Sequence, residues 1–174
     1  MAEDEFAQDG ILTGGRPDPA APPAGPVYHY AVGLARLAVL QAASKGFYSL
    51  YWFYAHWRSL KDLNNEDLSP FWRAVFTPFT SYFLFARFEQ RGAAFVQPAG
   101  VLAALIFAGN FAWNLRSPMY LLAILLPLVV MLAAQKEINA FWRKSLPTTF
   151  RPAPMTAGAW AALAAGLLAW RLTN

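Results

Sequence analysis

Three stretches of this chain contain no Asp, Glu, Lys or Arg: 23 residues over 93–115 and 19 residues each over 117–135 and 152–170. A helix that crosses a hydrocarbon core of about 30 Å needs about 20 predominantly apolar residues, so all three runs have membrane length. The composition points the same way: of 174 residues, 57% are hydrophobic and 14% charged. A typical soluble domain carries about 45–50% apolar and about 25% charged residues. The expectation is an all-α, polytopic transmembrane helix bundle of about five spans.

The residue inventory removes several chemistries. Cysteine is absent, which excludes thiolate nucleophiles, disulfide frameworks, iron–sulfur clusters and cysteine-ligated zinc. His29 and His56 are the only histidines, and no HExxH, GxxxxGK[ST], GxGxxG or GxSxG string occurs. No catalytic, cofactor-binding or metal site is expected, and the enzyme reading is left without a motif. The formal net charge of +4 does not point to nucleic acid, because the basic residues sit singly at the ends of apolar runs.

Along the chain, residues 1–26 hold Glu3, Asp4, Glu5, Asp9 and Asp18 with five prolines. They read as a disordered acidic, Pro-rich tail before a helical domain at 27–174. The acidic start lacks the basic region of a signal peptide, so the tail is expected to stay attached. The first apolar segment runs from about Tyr30 to about Trp57. Arg36 and Arg58, 22 residues and about 33 Å of helix apart, suit opposite interfaces of one tilted span. The alternative is four spans plus a first helix that is interfacial or broken at Gly46. A turn-rich loop with Asn64, Asn65, Ser69 and Pro70 leads to a short second span at about 70–88, which Pro78 should kink. Spans three, four and five are expected at about 98–114, 119–140 and 155–171.

Tryptophan followed by arginine recurs where spans meet loops: Trp57-Arg58, Trp72-Arg73 and Trp142-Arg143. Aromatic belts beside cations anchor helices at membrane interfaces, so these six residues are read as anchors. Seven Lys and Arg near span ends on the N-terminal side, against five on the other, place the N-terminus in the cytoplasm.

Polar residues inside spans are costly, a mid-depth charge by roughly 2.5–3.5 kcal/mol, and so mark inward or functional positions. Gln41, Lys45, Ser49 and His56 form one stripe along a continuous first helix, and Asn110 and Asn114 a second on span three. Either stripe can line a polar path or supply interhelical hydrogen bonds. Lys136 and Glu137 are expected to face apart and need other partners. Small residues on spans three and five permit close helix contact, in a compact bundle or an oligomer seam.

The run Gly46-Phe47-Tyr48-Ser49-Leu50-Tyr51-Trp52-Phe53-Tyr54 with Trp57, then Ser69-Pro70-Phe71-Trp72-Arg73-Ala74-Val75-Phe76, resembles an aromatic pattern in a family of small uncharacterised bacterial polytopic inner-membrane proteins. The resemblance implies a bacterial inner-membrane location and supplies no catalytic residue. The expected function is a non-enzymatic accessory or assembly component of a membrane complex, with the lipid bilayer and a membrane-protein partner or second copy as its contacts. The alternatives are a small transporter or channel with a polar path along Lys45 and Asn110, and a lipid-acting enzyme using His56 with Glu66 or Asp67.

Overall fold

The structure, a computed structural model, describes residues 28–64, 66–112, 120–147 and 150–172. The 1–26 tail lies outside them, as does Asn114. Among the described residues the chain is an all-α bundle of α1 (Leu34–Ala43), α2 (Tyr48–Asn64), α3 (Pro70–Val75), α4 (Thr77–Gln90), α5 (Ala99–Phe111), α6 (Tyr120–Ser145) and α7 (Ala157–Leu172).

The single span expected over 30–57 is corrected: the chain reverses between α1 and α2. Lys45 (φ 49°) and Gly46 (φ 92°) are both left-handed, a conformation a helix cannot continue through, and glycine takes it without a Cβ clash. The Gly46 N–H bonds back to the Gln41 carbonyl at 3.0 Å, closing α1, while Ser44 Oγ accepts the Tyr48 N–H at 2.9 Å and starts α2. The broken first helix, held as the alternative, is the observed one. The stripe of Gln41, Lys45, Ser49 and His56 is corrected with it, since Gln41 lies on α1, Lys45 in the turn, and Ser49 and His56 on α2.

The single span expected at about 70–88, kinked at Pro78, is corrected: it divides at Phe76 into α3 and α4, which fold back on each other. Pro78 occupies the first turn of α4, where its missing N–H is harmless, and the helix breaks just before it at Phe76.

Side-chain contacts fix the directions. The rings of Phe53 and Phe85 meet, as do those of His56 and Phe88, so α2 and α4 run the same way. The short α3 doubles back between them, carrying Arg73 to the Trp57 ring. Phe79 on Phe107 and Phe85 on Phe95 make α4 and the α5 region antiparallel. Helix α6 returns from the Gly109–Pro127 contact to the meeting of Phe88 with Trp142. Helix α7 follows α1, from the Ala153 N–H on the Ala31 carbonyl to Gly166 against Ser44.

The small residues of spans three and five serve these crossings. A Cβ on Gly109 would stand 2.5 Å from Pro127 Cδ, one on Gly158 2.6 Å from Tyr51 Cε2, and one on Gly166 2.4 Å from Ser44 Cα. Hydrogen in place of a methyl group sets the helix separation at all three points.

The surface exposes many large apolar side chains, while several polar ones join an otherwise apolar core. On α4, Ser81 is 0% exposed, whereas Phe79 is 69% and Phe83 54% exposed. Gln41, Ser44, His56, Ser59, Thr77, Gln135 and Asn139 are also buried, while Phe107, Phe111, Val129, Trp160, Leu167 and Leu168 face outward. Among the described residues no helix is both long and apolar enough to cross a membrane. The reversals at 44–47 and at Phe76 divide the first two apolar segments into helices of 10, 17, 6 and 14 residues.

Candidate functional site

The turn between α1 and α2 and the break between α3 and α4 meet at one level. Together with α5 and α6 they enclose a recess of about 340 Å³. Gln41, Lys45 and Ser49 line it from the first reversal, Thr77 and Pro78 from the second, and Asn110 and Pro127 from α5 and α6. Four of the expected intramembrane polar residues, Gln41, Lys45, Ser49 and Asn110, are therefore brought together, although not along one helix. Thr77 joins them, which the sequence reading missed.

The hydrogen bonds define what the recess offers. Ser49 Oγ spends its hydrogen on the Gly46 carbonyl at 2.7 Å, and Thr77 Oγ1 on the Ala74 carbonyl. Asn110 does not bond across helices as expected; its Nδ2 donates to the Ile106 carbonyl of its own helix at 2.8 Å. Gln41 Nε2 faces the Gly46 carbonyl at 3.4 Å, and Gln41 Oε1, in a residue only 4% exposed, has no partner among the described residues. The hydroxyls and amide carbonyls thus present oxygen acceptors, and each amide nitrogen keeps a second N–H, beside one cationic side chain, Lys45.

His56 lies apart, fully buried. Gln135 Oε1 accepts from both Trp52 Nε1 (2.6 Å) and His56 Nε2 (3.0 Å). Gln135 Nε2 donates to Asn139 Oδ1 at 2.8 Å, and Asn139 Nδ2 to the Val32 carbonyl at 2.8 Å. This amide chain ties α2, α6 and the segment entering α1 together. Gln135 and Asn139 are one turn apart on an apolar helix, the same signal that marked Gln41 and Lys45. His56 is not brought near Glu66 or Asp67, which pair with Arg87 and Lys61. Among the described residues no cluster of His, Cys, Asp or Glu could hold a metal ion.

No protein-family model, curated protein or solved structure matches the chain.

The tryptophan–arginine pairs divide. Trp72 is 59% exposed, but Trp57 and Trp142 have no accessible surface and pack inward, so their expected place in an outward aromatic belt is corrected. A core indole and an interfacial indole carry the same local sequence signal. Arg73 lies 4.6 Å from the Trp57 ring centre, with Arg87 at 5.8 Å. Arg58 covers Tyr28, and Arg143 faces Phe150 at 5.7 Å. Lys136 and Glu137, expected to need other partners, pair with each other at 3.9 Å.

A second hollow of about 620 Å³ lies between α2 and α7, with Tyr28, Tyr51, Tyr54 and Arg58 at one end and the alanines of α7 along its floor. Burial, and then the neighbouring Tyr51, push the Tyr28 phenol well above its ordinary pKa, so it stays neutral.

Proposed function

We propose that this chain is an integral membrane protein, a non-enzymatic accessory or assembly component of the bacterial inner membrane. The observation that carries the reading is the apolar surface: Phe79 and Phe83 face outward on the helix that turns Ser81 inward. In water that arrangement forfeits burial of about 1.5–3 kcal/mol per large apolar side chain, whereas in lipid it costs nothing. No described helix qualifies alone as a crossing segment, so the reading rests on the surface of the whole bundle. Charge placement supports it. Arg36, Arg58, Lys61, Arg73, Arg87, Arg91, Lys136, Arg143, Lys144 and Arg151 fall toward the end of the bundle where α2 and α4 finish and α1 begins. Lys45 and Arg171 fall toward the other end. Basic residues gathered at one end favour that end, and the N-terminus with it, as cytoplasmic.

Support for the accessory role comes from the groups an enzyme would use: His56 Nε2 donates to Gln135, Glu66 pairs with Arg87, and Asp67 lies at the surface near Lys61. A second reading, a small transporter or channel, is favoured by the meeting of Lys45 and Asn110 at one recess. Membrane fractionation tests the first claim: the full chain should stay in the pellet after alkaline carbonate washing and leave it only in detergent. Recovery in the wash would overturn it. Native mass measurement of the detergent-extracted chain then separates the two roles, a fixed stoichiometry with another membrane protein favouring the accessory role and a self-assembled ring the path.

A further inference from the structure

Both reversals stop short of the far ends of the neighbouring helices. The α1–α2 turn meets α7 at Gly166, and α7 continues to Leu172, about 9 Å further at about 1.5 Å per residue. The α3–α4 break lies level with Pro127, and α6 begins at Tyr120, about 10 Å beyond it. Within a bilayer, irregular backbone at such depth is tolerated only where protein buries it or where it lines a polar cavity. The same turns that break helical order here line the recess.

We propose that this recess, where two partly inserted helical reversals meet, binds an anionic group that also carries hydroxyl donors, of which the glycerophosphoryl group is the bilayer's own example. The inference rests on the membrane reading above. Lys45, held in the reversal by its left-handed backbone, supplies the positive charge. Ser49 and Thr77 have spent their hydrogens on backbone carbonyls, so their oxygens accept. Gln41 Oε1 is a buried acceptor with no partner among the described residues, and such an atom is costly unless something donates to it. A bare phosphate dianion would meet Lys45 well and these oxygens badly. A glycerol phosphate satisfies both, with its phosphate on Lys45 and its hydroxyls toward Gln41, Ser49 and Thr77. Phe47, Phe53 and Ile106 give the rest of the lining an apolar character, which strengthens each polar contact beside them.

The test uses the full chain purified in detergent, with binding read by native mass spectrometry and by the shift in melting temperature. The probes are phosphatidylglycerol, phosphatidic acid, phosphatidylcholine and soluble sn-glycerol 3-phosphate. Phosphatidylglycerol should bind about tenfold more tightly than phosphatidylcholine, and Lys45→Gln should remove that preference, as expected for one charge-assisted contact. Gln41→Leu should abolish the preference for phosphatidylglycerol over phosphatidic acid, which lacks the glycerol hydroxyls, and retain the preference for anions. If Gln41→Leu fails to fold, Ser49→Ala gives the same readout from the exposed side of the recess. Stabilisation by soluble glycerol phosphate as well would identify a free solute as the source; stabilisation by the lipid alone identifies the headgroup. Equal binding of phosphatidylglycerol and phosphatidylcholine, or unchanged selectivity in Lys45→Gln, overturns the inference. Carbonate extraction fails or succeeds independently of either result, so loss of the membrane reading is recognised separately.

Discussion

The Trp52 indole donates to Gln135 Oε1 at 2.6 Å across the α2–α6 contact, deep in a core where neither side chain reaches solvent. The same oxygen also takes the His56 Nε2 hydrogen. Replacing Gln135 with Leu therefore strands two buried donors at once and releases Asn139 Oδ1. Each stranded group costs about 1–3 kcal/mol, so Gln135→Leu should destabilise the protein severely. Thermal unfolding in detergent should show a markedly lower midpoint, and a midpoint equal to wild type would contradict the network's structural role.

Glycine at 166 is required by space. Gly166→Ala would bring a methyl group to 2.4 Å from Ser44 Cα, a backbone atom that cannot rotate away. Overpacking of this kind costs about 1–3 kcal/mol. Gly100→Ala, where nothing lies within 4 Å, is the control and should hold or raise stability because alanine favours helix. Gly166→Ala should lower the melting midpoint and Gly100→Ala should not.

Glu66 neutralises one of two arginines that share the Trp57 ring. Glu66→Gln should lower stability by roughly 1 kcal/mol through unrelieved repulsion between Arg73 and Arg87, and added salt should restore part of it. An identical melting midpoint at low and high salt would argue against this account.

The native chain has no cysteine, so single cysteines report topology cleanly. If α1–α2 and α3–α4 reverse within the membrane, Asp67→Cys and Val96→Cys should react with an impermeant thiol reagent from the same side as the N-terminus. Five consecutive crossings would put position 67 on the opposite side. Labelling from that side would restore the five-span arrangement.

Much of the bundle was legible in the sequence because the signals were local. The charge-free runs located α5, α6 and α7, and Pro78 marked the break before α4, since both depend on a residue's own chemistry. The reversal at Lys45-Gly46 was open as an alternative because Gly46 can break a helix, but only the left-handed φ values there show that the chain returns and does not merely bend. The parallel course of α2 and α4 depends on Phe53 meeting Phe85 and His56 meeting Phe88, pairings no single segment encodes. The recess was half legible: Gln41, Lys45, Ser49 and Asn110 stood out as misplaced polarity, but Thr77 hid as an ordinary helix-start residue. Trp57 and Trp142 misled because aromatic–cation adjacency has the same form at an interface and in a core.

The segment around α7 comes late among the described residues, yet it fastens the earliest of them. Ala153 bonds to Ala31, Arg36 to the Ala153 carbonyl, Tyr51 to Thr156, and Gly166 rests on Ser44. These pairings join residues more than a hundred positions apart, so α1 and α2 cannot complete their packing until the α7 segment has been made. During that interval Tyr51 lacks Thr156 and Ser44 lacks Gly166, and truncation before α7 would leave a species for quality-control proteases to recognise.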